Sequence, residues 1–286
     1  MQAKKPYKRT MQDIHGGKKS PIPTFGLGTF RLKGDVVVQS ILDGLEVGYR
    51  HIDTAQIYGN EADVGRAISR AGVPRKELFV TTKIWTANLA RTALVPSLKK
   101  SLEDLRLRHV DLTLIHWPSP RDTVPLGETL GALLEAREQG LTKRIGISNF
   151  PIRLVERALE VVDPDILATN QVEVHPFLQN TALRDYSARK GIAITAYMPL
   201  AYGKVMADPV LRAIAQKHGV TPAQISIAWL LKLGMSVIPS STKKANLAAN
   251  LEAEKITLDG DDMGQIAALD RGERLTNPEF SPVWDL

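Results

Sequence analysis

The stretch that decides the fold is residues 78–116, where LFVTTKI at 78–84 is followed by LVPSLKKSLEDL at 94–105 and VDLTLIH at 110–116. The two outer segments are short, apolar and rich in β-branched residues, which indicates buried strands. The middle segment repeats apolar residues every three or four positions, which indicates a helix with one buried face. This order of elements predicts a parallel βαβ unit.

The same alternation continues along the 286-residue chain and gives eight predicted strands. They span residues 25–28, 49–53, 78–84, 110–116, 144–148, 169–174, 193–197 and 236–239. The helical patterns between them include residues 36–47, 61–71, 94–105, 126–139 and 210–217. Eight strands alternating with helices predict an α/β protein built as a closed (β/α)8 TIM barrel rather than an open doubly wound sheet.

The carboxyl-terminal part continues beyond the eighth unit. An Asp-rich start followed by apolar periodicity predicts an extra helix over residues 259–269. The tail after it carries Phe280 and Trp284, which are unusual in exposed chain, so we expect the tail to fold over another part of the molecule. Since no linker or change of composition interrupts the pattern, residues 21–286 are predicted to form a single barrel domain.

The net charge of +6 is concentrated at the amino terminus. Residues 1–20 hold six basic residues against Asp13 alone, so this extension carries +5 and the remaining 266 residues carry +1. A glycine pair between two polar arms predicts that residues 9–23 form a hairpin closing the bottom of the barrel. A nucleic-acid-binding protein would place its basic residues on the folded body. We therefore expect no nucleic-acid partner.

Membranes and thiol chemistry are also unexpected. No apolar run approaches the ~18 residues that a membrane span needs, and the basic extension lacks the apolar stretch of a secretory signal. The chain has no cysteine, which excludes disulfides, thiol catalysis and thiolate metal sites. The histidines show no metal-ligand spacing, so no metal is predicted. These features favour a cytoplasmic protein, and the lack of an obvious apolar surface helix favours a monomer.

Polar residues end three consecutive predicted strands, at the barrel face where catalytic residues normally lie. Asp53 ends the second strand, Lys83 lies near the end of the third and His116 ends the fourth. Tyr58 follows on a loop that Gly59 can turn back toward the barrel mouth. An ammonium group lowers the pKa of a neighbouring phenol, so Lys83 would make Tyr58 a better acid, and a buried Lys83 would need a counter-charge.

Proton donation to a forming alkoxide requires a hydride source, which must be a cofactor because no side chain delivers a hydride. Hydroxyls and amides after the eighth strand, at the start of a helix, could hold a phosphate group. Tyr197 could stack on a flat ring, and three residues that end strands five and six could bind a carboxamide. The residues for these roles are Ser240, Ser241, Thr242 and Lys243 for phosphate, and Ser148, Asn149 and Gln171 for the carboxamide.

Each candidate also has a purely structural interpretation. Asp53 could be a helix cap or a loop anchor, lysines and tyrosines are usually surface or packing residues, and His116 could be an internally satisfied core histidine. The Ser/Thr/Lys run could be a solvated helix cap. Gly26-Leu27-Gly28 begins like a dinucleotide fingerprint, but Arg31 occupies the position where the third glycine of that motif would stand.

Taken together, the motifs resemble the aldo-keto reductase family over residues 24–285, and most closely its bacterial 2,5-diketo-D-gluconate reductase B or methylglyoxal reductase group. The segments that carry the resemblance are GLGTF at 26–30, GYRHIDTA at 48–55, YGNE at 58–61, TKIW at 82–85, LIHWP at 114–118, IGISNF at 145–150 and IPSS at 238–241. The resemblance implies reduction of small polar aldehydes and ketones by NADPH, with Tyr58 as the acid of a tetrad with Asp53, Lys83 and His116.

The resemblance also implies further site residues. Thr29, Leu200 and Asn250 would join the cofactor-binding residues named above, and Phe30, Trp85 and Trp117 would wall the substrate pocket, with Phe280 or Trp284 over it. Many relatives have a lysine at the position of Ser240 and an arginine at that of Asn246, both facing the 2′-phosphate of NADPH. We predict that Lys243 and the hydroxyls beside it replace them, so that NADPH is preferred over NADH.

Two alternatives stay open. The chain could be a cofactor-binding sensor or scaffold with little turnover, although the complete tetrad argues against this. It could also be another barrel enzyme that acts on phosphorylated sugars and uses the site after strand eight for the phosphate of its substrate.

Overall fold

Eight strands lie parallel in one sheet whose order follows the sequence, as the computed structural model of residues 22–285 describes it. The strands are β1 Leu27–Gly28, β2 His51–Asp53, β3 Phe79–Ile84, β4 Leu112–Ile115, β5 Ile145–Ser148, β6 Leu167–Glu173, β7 Ile194–Tyr197 and β8 Ser236–Val237. Each strand overlaps one of the predicted segments. The strands are mostly apolar because helices cover the outer face of the sheet.

The sheet closes on itself through the chain just before and within β1. The Gly26 N–H donates to the Val237 carbonyl at 2.8 Å, and the Val237 N–H donates to the Thr24 carbonyl at 2.9 Å. The Gly28 N–H reaches the Pro239 carbonyl at 3.0 Å, and a Cβ added at Gly28 would lie only 2.8 Å from the Ile238 carbonyl oxygen. The glycines that resemble a dinucleotide fingerprint therefore serve the close approach of β1 to β8, and the predicted closed (β/α)8 barrel is confirmed.

Ten α-helices accompany these strands within residues 22–285. They are α1 Gly34–Val47, α2 Glu61–Arg70, α3 Arg91–Leu105, α4 Leu126–Glu138, α5 Ile152–Leu159, α6 Thr181–Lys190, α7 Pro209–His218, α8 Pro222–Lys232, α9 Lys244–Glu252 and α10 Gly260–Ala267. Helices α5, α6, α8 and α9 were not among the helices named from the sequence. The middle of α8 is buried on every side, so its sequence shows no polar stripe. Helix α10 is the predicted extra helix, and Asp259 caps it by accepting from the Asp262 N–H.

The two ends of the barrel differ in what fills them. Ile22 is fully buried and packs with Phe79 and Leu112, the first residues of β3 and β4, so the entering chain closes the amino-terminal end. Most of the hairpin predicted over residues 9–23 lies outside the described residues. The carboxyl-terminal end instead opens into a cavity. No helix within residues 22–285 combines the length and apolar character needed to cross a membrane.

Candidate active site

The four residues predicted to carry proton chemistry meet at the carboxyl-terminal end of the barrel. Asp53 is the last residue of β2, Lys83 is the last but one of β3, and His116 directly follows β4. Tyr58 ends a short 3₁₀ turn, Gln56–Tyr58, in the loop after β2. Asp53, Tyr58 and His116 line a cavity of about 650 Å³, which is within the usual range for small-molecule sites.

Lys83 and Asp53 form a buried ion pair at the floor of this cavity, which Asp53 lines. The Lys83 ammonium donates to Asp53 Oδ1 and, at 2.8 Å, to the Thr54 carbonyl. The other carboxylate oxygen of Asp53 accepts from Gln171 Nε2 at 2.8 Å. Both side chains are almost completely buried, and the additional hydrogen bonds satisfy charges that would otherwise be costly. The predicted counter-charge for Lys83 is therefore present.

Tyr58 differs from the prediction in the direction of its pKa. Its hydroxyl lies 3.4 Å from Lys83 Nζ, but burial raises the pKa of Tyr58 well above 10.0, and the negative charge of Asp53 raises it further. The prediction of a lowered pKa is wrong for this site because burial disfavours the phenolate most, and because the nearby Asp53 balances the charge of Lys83. Tyr58 consequently keeps its proton at neutral pH, which is the form that an acid requires.

The loop that carries Tyr58 is fixed by Asn60, a residue to which the sequence analysis assigned no role in the site. Asn60 is 1% exposed, and its Nδ2 donates to the carbonyls of Thr29 at 2.9 Å and Leu32 at 2.8 Å. Its Oδ1 accepts from Thr54 Oγ1 at 2.8 Å. Gly59, in the left-handed region at φ 61°, makes the turn between the two residues. No sequence motif predicts such hydrogen bonds to backbone groups that are distant in the sequence.

His116 is the last member of the group of four proton-chemistry residues at the cavity. Its pKa is well below 6.5, because burial and then the positive charge of Lys83 both disfavour the imidazolium. Its Nδ1 is buried and makes no hydrogen bond with residues 22–285. Since a buried N–H without an acceptor is costly, the hydrogen of the neutral ring belongs on Nε2. Nε2 is then the donor that the ring can offer to a carbonyl oxygen.

The lowered pKa of His116 predicts that the acid side of the pH profile is flat. The imidazole stays neutral as pH falls through 6.5, so kcat/KM should not fall between about pH 7.5 and pH 6, where an ordinary histidine becomes charged. The profile is measured with a neutral substrate and compared with that of His116→Gln. An acid limb near pH 6.5 in the wild type that is missing from the variant would contradict the neutral assignment.

The residues predicted to bind a carboxamide form one hydrogen-bonded group in the wall of the cavity. Ser148 Oγ donates to the Gln171 carbonyl at 2.7 Å, Asn149 Nδ2 donates to the His116 carbonyl at 3.0 Å, and the Tyr197 hydroxyl donates to Asn149 Oδ1 at 2.8 Å. The side-chain oxygen of Gln171 has no partner among residues 22–285 and can accept an amide N–H. This group and the ring of Tyr197 together form one polar side of the cavity wall.

The remaining predicted cofactor residues divide into two sets. Thr29, Leu200 and Ser240 line the cavity. Ser241, Thr242 and Lys243 lie beyond its edge at the beginning of α9, and Asn250 is buried further along that helix. Ser241 Oγ accepts from the Lys243 N–H at 3.1 Å, which orders this helix start. The second set is thus not part of the cavity wall, and only an elongated ligand that follows β8 outward would reach it.

The substrate side of the cavity is aromatic. Phe30, Trp85 and Trp117 all line it, and Phe30 lies against Tyr58 with 5.1 Å between ring centroids. Phe280 from the tail packs edge-on to Trp85 at 5.8 Å and to Trp117 at 5.6 Å. Of the two tail aromatics that were considered as covers, Phe280 lines the cavity and Trp284 packs behind Trp117 at 6.0 Å.

Trp85 owes its position to a second residue that sequence analysis missed. Gln56 Oε1 accepts from the Trp85 N–H at 2.9 Å and from Asn88 Nδ2 at 3.0 Å. Gln56 belongs to the same turn as Tyr58, so the acid and one wall of the pocket are held by one segment.

Fold and site together define a barrel enzyme whose proton-donating groups and aromatic walls meet at the carboxyl ends of the strands. The model of the Aldo/keto reductase family matches residues 24–271. The chain belongs to the aldo-keto reductase family, which makes it an oxidoreductase and confirms the resemblance found in its motifs.

Individual relatives agree with this assignment. Methylglyoxal reductase DkgB of Salmonella typhi is 57% identical over 265 residues, which cover 92% of this chain and 99% of that protein. The protein of the same name from Yersinia pestis is 54% identical over the same number of residues, again 92% and 99% of the two chains. Among solved structures, a putative 2,5-diketo-D-gluconic acid reductase B has a TM-score of 0.89 at 41% identity and covers 93% of this chain and 94% of its own.

Proposed function

We propose that the protein reduces small polar aldehydes and ketones to alcohols with NADPH, and that Tyr58 is the general acid. The observation that carries the proposal is the Tyr58 hydroxyl, protonated at neutral pH, at the wall of the cavity and 3.4 Å from the ammonium of the Lys83–Asp53 pair. Small dicarbonyls such as methylglyoxal, and keto-sugar acids such as 2,5-diketo-D-gluconate, are the proposed substrates, because the relatives above carry these compounds in their names.

The cofactor would be held by residues already described. Ser148, Asn149 and Gln171 would bind the carboxamide, and Tyr197 would lie against the nicotinamide ring. Thr29, Leu200, Ser240, Ser241, Thr242, Lys243 and Asn250 would hold the rest of the dinucleotide. When bound, the nicotinamide supplies the hydride that the carbonyl carbon accepts.

The protein residues would then manage the oxygen of the carbonyl group. His116 Nε2–H and the Tyr58 hydroxyl would donate hydrogen bonds to it and orient the carbonyl group. As negative charge develops on the oxygen, the proton of Tyr58 moves to it and the alcohol forms. An alkoxide is a much stronger base than a phenolate, so a raised pKa does not prevent this transfer. Lys83 stabilises the phenolate that remains.

The proposal is tested by following NADPH oxidation with methylglyoxal, 2,5-diketogluconate, a simple aldehyde and an aromatic ketone. Turnover of a dicarbonyl is the expected result. Binding of NADPH without turnover of any carbonyl would favour a sensor or scaffold, and absence of NADPH binding would favour a barrel enzyme with a phosphorylated substrate. The cytoplasmic location, the monomeric state and the domain boundary at residue 21 stay predictions.

The choice between NADPH and NADH is tested at Lys243, the exposed lysine before α9. Lys243→Ala should raise KM for NADPH by about tenfold to a hundredfold and leave KM for NADH unchanged, since a charge-assisted hydrogen bond to a phosphate is worth about 1.5–3 kcal/mol. Lys244→Ala is the matched control, because that neighbour is paired with Glu46. An unchanged preference in Lys243→Ala would remove this residue from the phosphate site.

A further inference from the structure

The tail after α10 returns across the mouth of the barrel without forming a helix or a strand in residues 268–285. Such a segment lacks ladder hydrogen bonds, so its backbone N–H groups need other partners. Its aromatic residue Phe280 nevertheless takes a defined place in the cavity wall, against Trp85 and Trp117. Something outside the tail must therefore hold it.

Glu173, the last residue of β6, is the first anchor. Its side chain is fully buried, and its Oε1 accepts from the Leu275 N–H at 2.7 Å while its Oε2 accepts from the Thr276 N–H at 2.8 Å. His175 Nε2 lies 3.0 Å from Oε1. Two consecutive backbone donors of the tail thus converge on one carboxylate, and hydrogen bonds to a charged group are stronger than those between neutral groups.

Asp285 at the far end of the tail is the second anchor. Its two oxygens lie 3.1 and 2.9 Å from the N–H of Ile152, the first residue of α5. The first N–H groups of a helix have no partner within the helix, and its positive end favours a carboxylate. Pro151 at the cap position makes no side-chain hydrogen bond, so Asp285 takes the place of an ordinary cap.

Phe280 lies in the span between these anchors. We propose that Glu173 and Asp285 are positioning residues for the substrate, which hold the tail at both ends so that Phe280 completes the aromatic wall before any ligand binds. The inference rests on the proposed carbonyl reduction. It assigns a role in substrate binding to two residues, Glu173 and Asp285, that do not touch the reacting groups. Preorganising the wall lowers the ordering cost of substrate binding, so its loss should appear in KM rather than in kcat.

Glu173→Gln tests the first anchor. The amide keeps one acceptor oxygen but turns an NH₂ group toward a backbone N–H, so one of the two bonds to the tail is lost. With methylglyoxal as probe, KM should rise by roughly tenfold while kcat changes by less than about twofold. Phe280→Ala should have a similar effect. Glu279→Gln is the matched control, since that carboxylate is an exposed residue of the same tail.

A double variant separates positioning from a general structural role. If Glu173 acts through Phe280, Glu173→Gln should add almost nothing to KM in the Phe280→Ala background. The emission of Trp117 and Trp284 should shift to longer wavelength in Glu173→Gln without any ligand, because a released tail uncovers Trp117 and carries its own Trp284 into solvent. Additive effects on KM, or unchanged emission together with unchanged KM, would overturn the proposal.

Two variants in the tail guard against a folding defect at the buried Glu173. Leu275→Pro removes the backbone N–H that donates a hydrogen bond to Glu173 Oε1. Asp285→Ala removes the second anchor. Both should raise KM and shift the emission as Glu173→Gln does, and failure of both would refute the anchors. The emission needs no turnover, so it still tests the anchors if the wild type proves inactive with every carbonyl, a result that would refute only the proposed function.

Discussion

Replacing Tyr58 by phenylalanine is expected to lower kcat by about 10² to 10⁴, the usual contribution of a positioned acid. The variant retains the ring that packs on Phe30 and lacks only the hydroxyl beside Lys83. Without it, no hydroxyl among the described cavity residues lies within hydrogen-bond distance of Lys83 Nζ. KM for NADPH should stay close to the wild-type value, because the lost group faces the carbonyl.

The measurement is steady-state NADPH oxidation with methylglyoxal, together with NADPH binding by tryptophan emission. Tyr186→Phe is the matched control, since that tyrosine lies on α6 outside the cavity and the same hydroxyl is removed. Turnover by Tyr58→Phe within about threefold of the wild type, far less than a lost acid predicts, would refute the assigned acid.

The direction of the Tyr58 pKa adds a second expectation for the wild type. Since burial raises that pKa above 10.0, the phenol stays protonated as pH rises, and kcat for reduction should not fall through loss of its proton up to about pH 9. Had the pKa been lowered, as residue types alone suggest, the same profile would decline through neutral pH. The pH profile of kcat therefore distinguishes the two directions.

The location of the site could be predicted because parallel strands deliver their carboxyl ends to one face. Asp53, Lys83 and His116 each lie at or next to the carboxyl end of a strand, and that placement brings them together. Strand positions were predicted better than strand lengths, because the pattern of apolar residues continues into turns that leave the ladder. Of the four helices that the sequence analysis did not name, α8 is buried on all sides, which removes the periodicity that reveals a helix.

The supporting residues could not be predicted, because their partners are backbone groups far away in the sequence. Asn60, Gln56 and Glu173 bind carbonyls or N–H groups that any residue would supply, so no pairing of side chains reveals them. The sign of the Tyr58 pKa failed for a related reason. The direction of that pKa shift depends on how closely Asp53 approaches Lys83 and on how deeply the phenol is buried. Neither the distance nor the burial can be inferred from residue types alone.

Lys83→Met is expected to abolish most activity and to lower the free energy of unfolding by about 3–5 kcal/mol, the range found when one partner of a buried ion pair is removed. Methionine is close to lysine in length, so little cavity should result. The substitution leaves the carboxylate of Asp53 buried, with Gln171 as its remaining side-chain partner. The phenolate of Tyr58 would also lose its stabilising cation, so kcat should fall by at least about tenfold.

Thermal or urea unfolding and steady-state kinetics check both effects. Lys100→Met is the matched control, because Lys100 pairs with Asp104 at the surface, with 65% of its side chain exposed, and such pairs contribute about 0.2–1 kcal/mol. A loss of stability in Lys83→Met no larger than that of Lys100→Met would contradict the buried pair.

The double variant Lys83→Met with Asp53→Asn separates the two roles of the pair. Asparagine is neutral and its side-chain oxygen can still accept from Gln171, so the double variant should recover much of the stability that Lys83→Met loses. Its activity should stay low, because the ammonium beside Tyr58 is still missing. If activity returned together with stability, the role of Lys83 would be to preserve the fold alone, and the acid function of Tyr58 would not depend on a neighbouring cation.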